Sequence, residues 1–120
     1  MGHWTEPETI FFSGIAQAAD VVSGYVTIAI TSFNQDRLRI HAMNGLIVNR
    51  SARLVLGWYN HNIQDNVPLA DIDVGANRNG NFTGSPYIEV YPCDRVIARF
   101  YNPIANDDVY ANVTLSRWIP

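Results

Sequence analysis

Apolar and polar residues alternate one by one through most of this chain, and that period of two limits its fold more than any other feature. Successive side chains of an extended strand point to opposite faces, so alternation builds strands with one dry face and one wet face. Val26, Ile28 and Ile30 share one face against Tyr25, Thr27 and Thr31, in a β-branched stretch that begins at Val21. After a turn at Phe33-Asn34-Gln35-Asp36, Leu38, Ile40 and Ala42 face inward against Arg37, Arg39 and His41. Gly45 marks a bulge there, and Leu46-Ile47-Val48 continues the strand. Residues 53–59 form a strand apolar on both faces at its middle, as a sandwich-core strand is. Tyr87-Ile88-Glu89-Val90-Tyr91 and 95–101 read as neighbouring strands joined by a turn at Pro92-Cys93-Asp94, and a last strand turns Val109, Ala111, Val113 and Leu115 inward.

No stretch of ten or more residues carries a 3.6-residue apolar repeat, so long helices are absent from the expectation. The Ala-rich segment 15–20 is a loop or a single helical turn. Between residues 60 and 86 Asn, Asp, Gly and Pro are dense, which predicts a long loop carrying at most one short edge strand. Six or seven strands separated by turns specify an all-β fold, an antiparallel β-sandwich of jelly-roll-like kind. The 120 residues, 48% of them hydrophobic, suffice for one core and one domain, 1–120, with residues 1–8 as an N-terminal arm.

A formal charge of -3 and the lack of a basic cluster argue against a nucleic-acid partner, because phosphate binding needs grouped cations. No segment approaches the about 18 apolar residues of a membrane-spanning helix, so no membrane is expected, and the first residues lack a secretory pattern, so synthesis in the cytoplasm is expected. The one cysteine, Cys93, has no internal disulfide partner and reads as a small buried apolar residue.

Catalytic residues are not expected: no Gly-x-Ser-x-Gly elbow occurs, and His3, His41 and His61 lack the spacing that sets two imidazoles on one metal ion. Asp71 and Asp73 share a strand face, and Asp107, Asp108 and Asn112 gather hard oxygen ligands of the kind calcium takes. Turn formation explains the same residues, so neither a metal nor a cofactor is assigned. The glycines at 75 and 80 have no following lysine and read as loop.

All eight basic residues are arginine, and the tyrosines at 25, 59, 87, 91, 101 and 110 fall on strand faces opposite the expected core. Tyr and Arg together bury large area while keeping a polar handle, which is the composition of an interface core. Cross-strand pairing within the domain accounts for them equally well. Trp4 and Trp118 near the two termini point to docking. The candidate interface residues are therefore Trp4, Arg37, Arg39, Arg53, Tyr59, Tyr87, Tyr91, Arg99 and Trp118.

The stretch 87–118, with Tyr91-Pro92-Cys93-Asp94-Arg95-Val96-Ile97-Ala98-Arg99-Phe100 and the closing Val113-Thr114-Leu115, resembles the small β-sandwich cement or decoration proteins of tailed bacteriophage capsids. The similarity is one of size and strand rhythm. It implies a non-enzymatic virion structural protein, a homo-oligomer with a trimer favoured. Such a protein is made in the host cytoplasm and binds the viral major capsid protein at the capsid surface. A second similarity, to small calcium-dependent bacterial galactose lectins, touches Tyr101-Asn102, Asp107, Asp108 and Asn112, and implies the alternative of a β-sandwich carbohydrate-binding lectin. Ligand spacing departs from that pattern, and so does the rest of the chain.

Overall fold

The computed structural model describes residues 1–31 and 36–120. The alternating segments form β1 (His3–Trp4), β2 (Glu8–Ile15), β3 (Tyr25–Ile30), β4 (Asp36–Ile47), β5 (Ala52–Asn60), β6 (Asp65–Val74), β7 (Gly80–Tyr101) and β8 (Asp108–Ile119), with one short helix, α1 (Ala18–Ser23). All strand pairs are antiparallel. The expected turn at Phe33-Asn34-Gln35 lies outside the described residues, and Asp36 already belongs to β4.

The strands make two layers joined by β7. In the first, β2 and β1 lie in turn along one edge of β8, β4 pairs with its other edge, and β4 pairs with β7 over residues 80–93. In the second, β7 from Cys93 onward lies between β3 and β5, and β6 closes the far edge of β5. Cys93 is opposite both Asp36 of β4 and Asn60 of β5, so it marks the point where β7 passes between the layers. Chain order crosses back and forth between these layers, and the result is an antiparallel β-sandwich of jelly-roll type. Between the layers lie Leu38, Ile40, Met43, Ile47, Leu54, Leu56, Val96, Phe100, Val109, Val113 and Leu115, all fully buried.

Several sequence expectations change here for identifiable reasons. The bulge in β4 falls between Ile40 and Ala42, at His41, and shifts the register against both β7 and β8. Beyond it the inward face passes to Met43, Gly45 and Ile47, and Ala42 leaves the core. Gly45 stays in register, and its lack of a side chain serves cross-layer packing: a Cβ there would stand 2.6 Å from Leu54 Cδ2. Residues 60–86 are not a long loop. They supply all of β6 and the start of β7, leaving two short turns. Both pieces are edge segments, β6 pairing with β5 and the first part of β7 with β4, where Pro and Gly are tolerated because one side has no ladder to break. Pro68 sits at a register shift in the β5–β6 ladder.

Residues 95–101 and 87–91 are likewise not hairpin neighbours but two lengths of the single strand β7, and Pro92-Cys93-Asp94 is the place where that strand changes layer. The N-terminal arm is bound along β8, with Trp4 opposite Trp118 and Glu8 opposite Leu115. The Ala-rich segment resolves into α1, which takes in Val21 and Val22. Gly24, at φ 89°, ends it in the left-handed conformation that glycine adopts freely, and β3 starts one residue later.

Candidate functional site

The nine candidate interface residues all lie outside the core, and the two layers divide them. Inward Leu38, Ile40 and Val90 force their neighbours outward, so Arg37, Arg39, Tyr87 and Tyr91 share the outer face of the first layer. Pairing of β1 with the end of β8 brings Trp4 and Trp118 beside them. The Arg39 guanidinium is 4.0 Å from the Trp4 ring and 4.4 Å from the Tyr87 ring, with Glu89 at 3.8 Å. Trp4 meets Trp118 edge to face at 5.4 Å, and Arg37 lies 5.0 Å over Tyr91.

His41, displaced by the bulge, ties this face together from below. Its Nδ1–H donates to the Pro86 carbonyl at 3.1 Å, its Nε2 is hydrogen-bonded with the Ser116 hydroxyl at 3.1 Å, and its ring packs edge-on to Tyr87. The cluster is thus a set of large side chains holding one another in place. Arg–aromatic stacking of this sort contributes about 0.5–1 kcal/mol per pair at exposed sites.

Arg53, Tyr59 and Arg99 occupy the outer face of the second layer. Arg53 donates two parallel hydrogen bonds to Asp71, at 2.8 and 2.7 Å, and lies over Tyr101. That hydrogen-bonded pair holds the Asp71 carboxyl below its usual range and raises the Arg53 guanidinium above its own. Arg99 stacks on Tyr25 and donates to Thr27 Oγ1 at 3.0 Å, and Arg95 stacks on Tyr59.

The other ligand-like groups do not converge. Asp107, 4% exposed, pairs with Arg50 at 2.9 Å and accepts the Ile104 N–H at 2.7 Å, which fixes the loop before β8. Asn112 points from the outer face of the first layer and accepts from Asn44. The Asp107, Asp108 and Asn112 set therefore does not form one ligand cluster, and among the described residues no three His, Cys, Asp or Glu side chains gather to hold an ion. Cys93 is fully buried, and burial pushes its thiol up to about 12. Among the described residues no helix is long and apolar enough to cross a membrane.

One surface escaped the sequence reading: a groove of about 360 Å³ on the first layer, at the opposite end from Trp118, lined in part by Phe11, Asn44, Asn79, Tyr110 and Asn112. The signal was the exposed parity of Phe11 within the run 9–13, which reads as merely apolar until its strand pairing is known.

No family model and no curated protein sequence matches the chain. Among solved structures it is similar to a subunit of Bacillus endospore appendages, described as disulfide-linked pili, at 11% identity and a TM-score of 0.60 over 100% of this chain and 92% of that one. It is also similar to PirA, at 4% identity and a TM-score of 0.52, over 88% and 92%. A chain of the virus-like particle of the extra small virus of the prawn Macrobrachium rosenbergii follows at 9% identity and 0.49, over 94% and 78%. At these identities the likeness bears on the fold alone.

Proposed function

We propose that this chain is a non-enzymatic structural protein of a virion, a capsid cement or decoration protein that acts as a homo-oligomer, with a trimer favoured, on the viral major capsid protein. The observation that carries the reading is the Arg39 cluster, which sets six of the nine candidate residues side by side on one outer face. Trp, Tyr and Arg dominate interface energetics, and here they are ordered by mutual stacking before any partner arrives, which lowers the entropy cost of docking. Several such contacts made by one symmetric oligomer add up to firm attachment.

A formal charge of -3 without grouped cations supports a protein partner over a nucleic acid. The pili of the endospore appendage are disulfide-linked, whereas the one thiol here is buried, so copies of this chain associate without covalent links. Light scattering on the purified chain, followed by cosedimentation with phage capsid shells, tests the proposal. A defined oligomer that pellets with shells is expected, and a monomer that never joins a particle overturns it.

A further inference from the structure

The groove on the first layer has a chemistry distinct from that of the Arg39 cluster. The β2–β8–β4–β7 register lines up Phe11, Asn112, Asn44 and Asn81 in one row across the sheet, and Ser13, Tyr110 and Leu46 in the next. The residues on either side of these in each strand point into the core, so both rows face outward. Phe11 is 76% exposed and Tyr110 47%, a large apolar and aromatic area to leave in water on a small domain. Among the described residues, none that lines the groove is an acid, a lysine, an arginine or a histidine.

Asn44 and Asn112 hydrogen-bond to each other at 2.9 Å. An amide pair joined by one such bond keeps one whole carbonyl oxygen and one whole NH2 group for a further partner, whichever way each amide is assigned. The groove thus offers an acceptor and a donor side by side, with Phe11 and Tyr110 among its lining, in a space within the range of small-ligand sites. A pyranose ring has the matching parts: an apolar C–H face and a rim of adjacent hydroxyls that each donate and accept. A phosphate, a sialic acid or a sulfated glycan would find no cation to offset its desolvation.

We propose that this groove binds a neutral carbohydrate, with Phe11 and Tyr110 against the C–H face and the Asn44–Asn112 pair bonded to adjacent hydroxyls. No ion takes part. The inference stands apart from the capsid reading, since it uses none of the residues of the Arg39 cluster.

Titration of the ¹⁵N-labelled full chain with neutral gluco-, galacto-, manno- and chito-oligosaccharides, in EDTA, tests it, with sialylated and heparin oligosaccharides run in parallel. Saturable shifts at residues 11, 44, 110 and 112 are expected with at least one neutral series. Phe11→Ala, at an exposed position and with an unchanged melting temperature, is expected to weaken that binding about tenfold. Arg39→Ala leaves it unchanged, which separates this site from the docking face. Silence from every neutral oligosaccharide at millimolar concentration overturns the proposal, as does binding of the anionic series alone or binding that survives both Phe11→Ala and Tyr110→Ala.

Discussion

The two outer faces use the same residue types to opposite ends. On the second layer Arg53 is clamped by both oxygens of Asp71, and Arg99 is tied to Thr27. On the first, Arg39 lies against the rings of Trp4 and Tyr87 with the Glu89 carboxylate at 3.8 Å, while Trp118 packs on Trp4 and Tyr91 lies under Arg37. A guanidinium with both hydrogen-bonding edges on a carboxylate has little left to give a partner, while one held by ring faces keeps its N–H groups for another molecule. Arg and Tyr alone therefore do not make an interface; what matters is which group each arginine already answers to.

The seam between the faces gives the largest expected contrast. Because Cys93 is enclosed where β7 changes layer and its thiol is pushed up to about 12, alkylation at pH 8 in the native protein is expected to run about a thousandfold slower than in denaturant. Fast native labelling would mean that the layers part there. The same upward shift fixes a sign: the folded chain holds this proton more tightly than the unfolded chain, so stability falls as pH rises from the ordinary thiol range toward 12. Chemical denaturation across that range checks it.

Next in size is docking itself. Arg39→Ala and Trp118→Ala are expected to lower affinity for shells by about 2 kcal/mol each, or about thirtyfold, in cosedimentation, while Arg99→Ala on the other face leaves it within a factor of about two. Equal losses on both faces would erase the distinction.

The smallest effect is expected at Arg53. The Arg53–Asp71 pair is solvent-exposed, so Arg53→Ala should lower the melting temperature slightly, and less in high salt. Since Asp71 is held below its usual range, the pair stabilises the fold at neutral pH and this contribution is lost as pH falls below the ordinary carboxylate range. Melting curves from pH 7 to pH 3 should be flatter for Arg53→Ala at that site.

Legibility of the fold in the sequence followed how local each feature is. The inward set Val109, Ala111, Val113 and Leu115 of β8 agrees with its alternation because its ladder with β2 runs without a register shift. In β4 the alternation holds through Ile40 and fails at Ala42, since a bulge adds one residue and reverses every later side chain. Residues 60–86 were misread because the Asn, Asp, Gly and Pro that signal a loop are also what an edge strand tolerates. Outward Tyr and Arg were visible, but their division between two faces was not, because which layer a strand joins depends on pairing across the whole chain. The groove was hidden for the same reason: Asn44 and Asn112 meet only through β4 and β8, 68 residues apart in sequence.

The central claim is that the first layer's outer face is where this protein meets its assembly. Covalent footprinting of Trp and Tyr on the free and particle-bound protein tests it most directly. Protection on binding is expected at Trp4, Tyr87, Tyr91 and Trp118, with Tyr25, Tyr59 and Tyr101 labelled as before. Protection confined to those three tyrosines of the second layer, or at none of the seven, would contradict it.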